Sequence, residues 1–210
     1  MKKNILIVPG DGIGQEVTAV GKKVLDRIAA KFGHHFSYDE ALIGHVAIEA
    51  TGNPLPDESL QKMKASDAVL FGAVGHPKYD NDPSAKVRPE QGLLKMRKEL
   101  GLYANLRPIK LFDELLAASS IKPEILKGAD ILFFRELTGD IYFGEKGRTN
   151  NGDTAFDRAE YSRFEVERIA RKAFETARTR KKKLCSVDKA NVLETSRLWR
   201  KIIKKIALEY

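Results

Sequence analysis

The amino-acid sequence predicts an α/β fold, in which strands and helices alternate along the chain. Two short runs, residues 5–8 and 68–74, are almost wholly apolar, as is typical of strands buried in a parallel sheet. Between them, residues 13–28 carry apolar side chains at every third or fourth position, which is the period of an amphipathic helix. A strand, a helix and a second strand in this order form the crossover unit of α/β proteins.

The composition is that of a soluble globular chain. Its 210 residues are 42% hydrophobic and 31% charged, and this length allows one large domain or two small ones. The one cysteine, Cys185, excludes a disulfide scaffold and a cysteine-rich zinc site, and it fits a reducing compartment. Every apolar run is far shorter than the roughly 20 residues that span a bilayer. We therefore expect a cytoplasmic protein with no membrane partner.

The positive charge lies in the second half of the chain. The net charge is +8, and residues 106–210 carry 23 Lys and Arg against 16 Asp and Glu. The densest run, residues 178–183, fits either a nucleic-acid patch or a solvated helix end, where cations meet the negative end of the helix dipole. Because no aromatic residue is interleaved to stack on bases, we favour the helix end and expect no nucleic-acid partner.

The first elements follow from apolar runs and from turn-forming residues. Strand 5–8 stops at the Pro-Gly-Asp-Gly sequence of residues 9–12, and the helix after it ends near Gly33. Residues 36–43 predict a second strand, and the Gly- and Pro-rich residues 52–56 predict a loop. The apolar face predicted for the helix consists of Ile13, Val17, Val20, Val24, Leu25 and Ile28.

The middle of the chain combines a buried strand with a long polar loop. Asp57 is a plausible N-cap for a short helix over residues 58–64. Residues 68–74 predict a strand that is buried on both faces. Residues 75–89 contain three prolines and few apolar side chains, and loops of this length are typically functional or mobile.

The second half repeats the alternation of strand and helix. The predicted elements, in order, are a helix over 92–100, a strand over 102–109, a helix over 123–127 and a strand over 131–134. The polar residues 141–163 differ, because Asn150, Asn151 and Gly152 predict a hairpin turn, so this stretch is interpreted as a projecting arm.

The last part of the chain predicts two helices with a strand between them. The long helix after the arm presents one apolar face, formed by Val166, Ile169, Ala170, Ala173 and Ala177. Residues 184–187 predict a strand, and a final helix is expected from about Asn191.

A glycine-rich turn joins the first strand to the first helix, where a dinucleotide-binding fingerprint would lie. The fingerprint has the form G-x-G-x-x-G, and residues 10–14 supply its first two glycines. Gln15 stands where the third glycine belongs. The pattern therefore favours a tight turn whose free N–H groups could face a ligand over a conventional Rossmann site.

Three arginines and an apolar helix face suggest a site for an acid that carries an alkyl group. Leu93 and Arg97 are four residues apart on a predicted helix, so both point the same way. Arg107 and Arg135 lie on predicted strands. If the three converge, each could hold one carboxylate in a bidentate pair. Single arginines in such positions are more often surface or salt-bridge residues, and spacing leaves both alternatives open.

Two further residues could transfer protons. Tyr142 follows a Thr-Gly-Asp turn, and Lys189 is predicted to open a helix. Each could act in proton transfer if its environment tuned its pKa. A packed tyrosine and an exposed lysine are the alternatives, and periodicity by itself favours them.

Five sequence blocks together form a recognisable pattern. They are PGDGIG at 9–14, FGAVG at 71–75 with Pro77 and Lys78, NLRP at 105–108, RELTG at 135–139 with IYFG at 141–144, and SVDKANVL at 186–193. These blocks resemble those of the 3-isopropylmalate dehydrogenases, NAD-dependent β-decarboxylating dehydrogenases of leucine biosynthesis. They follow the family's order over essentially all 210 residues. The resemblance implies a cytoplasmic oxidoreductase acting on a CH–OH group.

The same resemblance implies a two-domain α/β fold that is not a Rossmann fold. Residues 1–101 would form the first part of the cofactor-side domain, and residues 102–210 the substrate and dimerisation domain. The enzyme would be a homodimer in which an arm, residues 141–163, is exchanged between subunits.

The resemblance also assigns roles to individual residues. Tyr142 and Lys189 would be the catalytic acid and base, with Lys189 contributed by the partner subunit. The residues that would bind the substrate are Arg97, Arg107, Arg135, Leu93, Leu94, Asn191 and Val192. The residues that would border the nicotinamide cofactor are Ile13, Gly75, His76 and Glu90. Isocitrate enzymes need polar residues where Leu93 and Leu94 stand, so these leucines favour an alkyl substituent.

Two departures from the family pattern accompany the resemblance. The family usually has glycine where this chain has His76. The family also continues past the position of Tyr210 into an acidic segment that binds Mg²⁺ or Mn²⁺, so the chain corresponds to an N-terminal portion without metal ligands of its own. The first alternative to an active oxidoreductase is therefore an inactive remnant that dimerises or binds a dicarboxylate. The second alternative is a related isocitrate- or malate-type enzyme.

Overall fold

The computed structural model describes residues 1–80, 82 and 84–210, and it divides into two compact units. Unit 1 comprises Met1–Leu100 and unit 2 comprises Gly101–Tyr210. Asn81 and Pro83, which belong to the predicted loop over 75–89, lie outside the described residues. In the described part of the chain, no helix is both long and apolar enough to cross a bilayer.

Unit 1 is built on a three-stranded parallel sheet, which confirms the predicted α/β class. The strands are β1 (Lys2–Gly10), β2 (His35–Glu40) and β3 (Ala68–Ala73), in the order β2-β1-β3. The apolar run of β1 is buried because this strand is central and has a neighbour on each side. β3 is only half-buried, so the prediction of a strand covered on both faces is wrong for the structure as it stands.

Among the described residues of unit 1, four α-helices accompany this sheet, and two of them differ from prediction. They are α1 (Gly14–Phe32), α2 (His45–Thr51), α3 (Asp57–Ala65) and α4 (Pro89–Glu99). α2 was not predicted, because its seven residues are too few to show a helical period. Asp57 does not cap α3; it is the first helical residue, after Pro56 at the N-cap position. The core shared by sheet and helices consists of Leu6, Val8, Ala41, Ile43, Leu55, Leu60, Met63 and Met96.

The face of α1 that meets the sheet is not the face predicted from periodicity. Gly14 and Thr18 are buried, whereas most of the predicted apolar stripe is exposed. A Cβ on Gly14 would lie 2.1 Å from the Pro9 carbonyl oxygen, and a Cβ on Gly21 would lie 3.3 Å from the Leu70 side chain. Small residues therefore let the helix approach the strands closely, and the larger apolar residues point away.

A hydrogen bond between α1 and β2 leads to a prediction of how the stability of the fold depends on pH. The Tyr38 hydroxyl donates to the Asp26 carboxylate at 2.8 Å. Burial and this bond raise the pKa of Tyr38 to about 12. Because the folded-state pKa lies above the unfolded value, the stabilisation is present below about pH 10. We expect it to disappear as the pH rises from about 10 to about 12.

Tyr38→Phe should flatten the alkaline branch of the stability curve measured by denaturant unfolding. It should also remove one tyrosine that ionises near pH 12 from the absorbance titration at 295 nm. Burial and nearby carboxylates raise the pKa of Tyr161 further still, so that residue serves as the internal reference. An absorbance titration that is the same above pH 10 for the wild type and for Tyr38→Phe would contradict the assignment.

Unit 2 is assembled from two antiparallel strand pairs and a helix pair. β4 (Ala104–Lys110) pairs with β5 (Asp130–Glu136), and β6 (Lys146–Thr149) pairs with β7 (Thr154–Asp157). The pairing is antiparallel, so the parallel crossovers inferred from the alternation are restricted to unit 1. A short helix, α5 (Pro123–Leu126), precedes β5.

The hairpin predicted in the polar stretch is confirmed. β6 and β7 are joined through Asn150, Asn151 and Gly152, all of which have positive φ. Asparagine and glycine tolerate this left-handed region best, which is why these three residues predict a hairpin turn.

The helix pair of unit 2 carries its core. α6 (Arg163–Arg178) starts with a capping box, in which the Ser162 hydroxyl and the Glu165 carboxylate each accept from the other's backbone N–H. It packs on α7 (Glu194–Ala207) through a buried cluster of Val166, Ala170, Ile202 and Ile206. Two predictions nearby are wrong. Residues 184–187 form no strand within the described chain, and α7 begins at Glu194 rather than near Asn191.

Candidate functional site

The turn between β1 and α1 is fixed by a buried carboxylate. Asp11 is 2% exposed, and its two oxygens accept backbone N–H groups of His45 (2.9 Å), Val46 (3.1 Å) and Gly75 (2.9 Å). One side chain thereby ties together the turn, the start of α2 and the segment after β3. A Cβ on Gly10 would lie 2.0 Å from the Ala73 carbonyl oxygen, so this glycine serves close packing of the turn on β3.

The four residues expected to border a cofactor belong to this end of unit 1. Ile13 is 58% exposed at the start of α1, and Gly75 follows β3 with φ +139°, which a glycine adopts most readily. A Cβ on Gly75 would lie 3.3 Å from a Glu90 carboxylate oxygen, so these two residues are neighbours. The carboxyl ends of parallel strands are the usual place for ligands in α/β sheets.

His76 is held by a cluster of side chains. Its ring centroid is 3.9 Å from that of His45, and the Tyr79 hydroxyl lies 3.1 Å from His45 Nδ1. Next to them, the Lys78 ammonium donates to Glu49 at 2.8 Å and holds the pKa of that carboxyl below its ordinary value. These contacts fix the first residues of the loop after β3.

α4 carries the predicted alkyl-binding residues and one arginine. Glu90, Leu93, Leu94 and Arg97 share one face of this helix, since they are three or four residues apart. Leu93 also packs against the core of unit 1. Leu94 and Arg97 are half-buried.

In unit 2, two predicted arginines and the predicted acid come together. Arg135 pairs with Asn105 across β4 and β5, and Arg107 lies two residues from Asn105, so both arginines are on one face of the sheet. The Arg107 Nε donates to the Asn105 side chain at 2.7 Å. The Arg135 guanidinium carbon lies 5.2 Å from the centroid of the Tyr142 ring. Two guanidinium groups therefore lie on one face of the sheet, and the Tyr142 ring, in the turn after β5, lies beside one of them.

The turn that connects Arg135 to Tyr142 is organised by a second buried carboxylate. Glu136 accepts the backbone N–H groups of Thr138 (2.7 Å) and Gly139 (2.8 Å) and the Thr138 hydroxyl (2.9 Å). The Arg168 guanidinium donates to Glu136 at 2.6 Å, and the Glu136 side chain is 0% exposed. Sequence reasoning missed both Asp11 and Glu136, although each acid precedes a glycine-containing turn.

Lys189, Asn191 and Val192 lie on a different segment of unit 2, in the turns that precede α7. The prediction that Lys189 opens a helix is wrong; its backbone N–H donates to the Ser196 hydroxyl at 3.0 Å. Asp188 anchors the segment through Arg200 at 2.6 Å, and that guanidinium lowers the pKa of the Asp188 carboxyl. The segment is therefore fastened to α7 with Lys189 exposed.

A divalent metal cannot be placed on these residues alone. Among residues 1–80, 82 and 84–210, no three His, Cys, Asp or Glu side chains form a group that could hold a metal ion. The two buried acidic residues of the described chain, Asp11 and Glu136, already accept from backbone and arginine donors.

Comparison with known proteins shows one family throughout. The family model described as isocitrate/isopropylmalate dehydrogenase matches residues 4–210. A 3-isopropylmalate dehydrogenase of Rhodopirellula baltica is 55% identical over 208 residues, which are 98% of this chain and 58% of that protein. A 3-isopropylmalate dehydrogenase of Nitratidesulfovibrio vulgaris is 54% identical over 214 residues, 100% of this chain and 60% of its own length.

Solved structures give the same picture. Isocitrate dehydrogenase from Methylococcus capsulatus superposes with a TM-score of 0.80 at 30% identity, over 99% of this chain and 57% of that one. The apo form of a β-decarboxylating dehydrogenase from Thermococcus kodakarensis gives 0.70 at 35% identity, over 99% and 55%. The chain thus spans about three fifths, or slightly less, of the length of the proteins it resembles.

Proposed function

The chain belongs to the isocitrate/isopropylmalate dehydrogenase family, and from this premise we propose that its residues serve the NAD-dependent oxidative decarboxylation of (2R,3S)-3-isopropylmalate to 2-oxoisocaproate. This is a step of leucine biosynthesis in the cytoplasm. The observation that carries the proposal is that Arg107 and Arg135 share one face of the β4–β5 sheet and that the Tyr142 ring lies 5.2 Å from the Arg135 guanidinium carbon.

Carboxylate binding is the part of the reaction that the described contacts support most directly. Arg107 and Arg135 present two guanidinium forks, and each fork matches the two oxygens of a carboxylate. Arg97 on α4 is the third proposed carboxylate partner. Leu93, Leu94 and Val192 would receive the isopropyl group, and Asn191, which follows Lys189 closely in the sequence, is a further proposed substrate-binding residue.

Two side chains are assigned to proton transfer. Lys189 of the partner subunit accepts the proton of the substrate hydroxyl while the carbinol hydride leaves. After carbon dioxide departs with its C–C bond broken, the Tyr142 hydroxyl donates a proton to the carbon that carried the carboxylate. The homodimer implied here would exchange the hairpin arm within residues 141–163.

The described residues support NAD and a divalent metal ion to different degrees. NAD, bordered by Ile13, Gly75, His76 and Glu90, supplies the acceptor for the hydride when bound. Two features of unit 1 suit a bound nucleotide: the C-terminal ends of the parallel strands, and the backbone conformation of Gly75, which glycine adopts most readily. For Mg²⁺ or Mn²⁺ the described residues do not suffice, so no step is derived through a metal.

Arg135→Lys tests the proposed carboxylate site directly. The substitution keeps the charge and removes the bidentate fork, so we expect the affinity of the chain for isopropylmalate, measured by isothermal titration calorimetry, to fall about tenfold. Arg163→Lys is the matched control, since Arg163 is exposed at the start of α6 and pairs with Glu167 at 3.5 Å. Equal affinities for the wild type and Arg135→Lys would refute the assignment.

Leu94→Ala tests the proposed alkyl pocket. A buried alkyl contact contributes about 0.8 kcal/mol per CH₂, so removing most of the leucine contact should cut discrimination between isopropylmalate and malate by about one to two orders of magnitude. The measurement is the ratio of kcat/KM values in a chimera that joins these 210 residues to the remainder of the Rhodopirellula baltica relative.

Leu93→Ala should have the same effect on the ratio and should also lower stability, because Leu93 packs against the core of unit 1. Lys95→Ala is the control, since Lys95 is exposed on the same helix and contacts Asp57 at 3.3 Å. If both leucine variants kept the wild-type ratio, the pocket would lie elsewhere.

A further inference from the structure

Two histidine rings stack against each other at the start of the segment that follows β3. The ring centroids of His45 and His76 are 3.9 Å apart, with 31° between the ring planes. His45 is the first residue of α2, and His76 precedes a single 3₁₀ turn over Pro77–Tyr79. The pair thereby joins α2 to a segment that is proposed to border the cofactor. Histidine is the side chain whose charge ordinarily changes between pH 5 and 8, so this contact depends on protonation.

The His76 ring is bonded in a way that specifies its protonation state. Its Nδ1 accepts the backbone N–H of Lys78 at 3.2 Å, so the ring caps the 3₁₀ turn in the manner of an N-cap side chain. A ring nitrogen accepts only when it carries no proton, so in this arrangement His76 is neutral, with its proton on Nε2. A proton added to Nδ1 would face the Lys78 N–H, donor against donor, and the cap would be lost.

His45 is bonded differently, because its partners tolerate a proton. The His45 Nδ1 lies 3.1 Å from the Tyr79 hydroxyl, which can donate to a neutral ring or accept from a protonated one. It also lies 3.8 Å from the Glu49 carboxylate. Lys78 first, and then the two histidines, hold the pKa of Glu49 below its ordinary value. Glu49 therefore keeps its negative charge throughout the range in which histidine titrates.

Two positively charged rings are poorly compensated at this distance. Imidazolium rings 3.9 Å apart repel each other, and the Lys78 ammonium on the same turn adds to the repulsion. Glu49 offsets part of it, but its carboxylate is already paired with that ammonium at 2.8 Å. Neighbouring elements bring three further charged groups to the segment: Asp11, which accepts the His45 and Gly75 N–H groups, Arg88, which donates to the Tyr79 carbonyl, and Glu90, beside Gly75.

We propose that the His45–His76 pair is a pH-sensitive latch on the cofactor edge of unit 1. While His76 is neutral, it caps the 3₁₀ turn and holds the start of the segment in place for the nucleotide. When both rings are protonated, the cap and the stack are lost and the segment separates from α2. The latch is therefore closed at neutral and alkaline pH and opens as the pH falls. Its effect on the cofactor rests on the proposed function, whereas the latch itself does not.

Hydrogen exchange of the Lys78 amide, followed by nuclear magnetic resonance, measures the latch in the 210-residue chain. Between about pH 8 and about pH 5.5 we expect its protection factor, corrected for the intrinsic exchange rate, to fall about tenfold, the factor that corresponds to one ordinary hydrogen bond. The Leu60 amide, which donates to the Pro56 carbonyl at the start of α3, reports unfolding of unit 1 and should keep its protection. Nitrogen-15 shifts of the four histidines should show the Nε2–H form of His76 at about pH 8.

Three variants separate the cap from other effects of histidine. His76→Asn offers a side-chain oxygen in place of Nδ1 but does not titrate, so its Lys78 amide should have the same protection factor at both pH values. His76→Gly removes the cap and should give weak protection at both. His35→Asn replaces an exposed histidine of β2 and should behave as the wild type. A wild-type protection factor that is independent of pH, or a change of equal size in His76→Asn, would overturn the latch.

The effect on the cofactor is tested in the chimera with the remainder of the Rhodopirellula baltica relative. Apparent affinity falls with the fraction of protein that is competent to bind, so between the same two pH values the KM for NAD should rise about tenfold more in the wild-type chimera than in its His76→Asn variant. Equal rises would overturn the effect on the cofactor. Combined with the expected loss of Lys78 protection, that result would mean that the latch exists and that the assignment of this edge to the nucleotide is wrong.

Discussion

Glu136→Gln is expected to lower the free energy of unfolding of unit 2 by about 3–5 kcal/mol, the range for removing one partner of a buried ion pair. The Glu136 side chain is 0% exposed and the Arg168 side chain is 20% exposed, so the guanidinium would be left largely out of water without its counter-charge. The Thr138 and Gly139 N–H groups share one oxygen of Glu136, so a glutamine can accept from both only by turning its amide N–H donors toward Arg168. Within the described residues the buried Arg168 Nε has no hydrogen-bond partner, and besides Glu136 the guanidinium donates to the Thr138 hydroxyl.

Denaturant unfolding followed by circular dichroism measures this loss. Glu160→Gln is the matched control, because the Glu160 side chain is 68% exposed and forms a longer contact, 3.4 Å, with Arg158. We expect that control to change stability by less than about 0.5 kcal/mol. A loss below about 1 kcal/mol for Glu136→Gln would mean that water reaches the pair and that the turn before Tyr142 is organised by other contacts.

Asp11→Ala is expected to destabilise unit 1 by about 3 kcal/mol or more. The variant leaves three backbone N–H groups without their acceptor, and each buried unsatisfied donor costs about 1–3 kcal/mol. The three donors belong to His45, Val46 and Gly75, so the start of α2 and the segment after β3 would separate from the turn. Unfolding midpoints in urea report the change.

Asp57→Ala provides the comparison for Asp11→Ala. The Asp57 side chain is 87% exposed and contacts Lys95 at 3.3 Å, so Asp57→Ala should change the free energy of unfolding by less than about 0.5 kcal/mol. Asp11→Asn keeps one acceptor oxygen, so its loss of stability should lie between those of Asp11→Ala and Asp57→Ala. Equal stability of Asp11→Ala and Asp57→Ala would show that the turn is held by close packing of Gly10 and Gly14 rather than by the carboxylate.

The sequence predicted those elements whose signal is local. The parallel strands β1 and β3 follow from apolar runs, and the hairpin between β6 and β7 follows from the tolerance of asparagine and glycine for positive φ. The predicted strand over 184–187 failed for the opposite reason. An apolar run becomes a strand when a neighbouring backbone pairs with it, and the described part of unit 2 places none beside it.

The faces and partners of side chains were less predictable. Periodicity found the apolar stripe of α1 but could not tell which flank meets the sheet, because that choice depends on Gly14 and Gly21 fitting against β3 and the turn. The adjacency of Arg135 and Tyr142 depends on the turn that Glu136 holds, and that turn is set by Arg168, which lies 32 residues away in the sequence. Such long-range pairs leave no periodic trace.

The Asp11 contacts have a consequence for the order of folding. They close intervals of 34 residues to His45 and 64 residues to Gly75, and β1 meets β3 over a similar interval. In unit 2, β4 and β5 pair across a shorter connection, and the capping box starts α6 with contacts only three residues apart. Chains rich in local contacts fold faster than those that depend on distant ones, because they lose less loop entropy before stabilising contacts form. When the chain refolds from denaturant, the arginine face is therefore expected to be assembled earlier than the C-terminal edge of the parallel sheet, so the surface assigned to the acid would form before the surface assigned to the nucleotide.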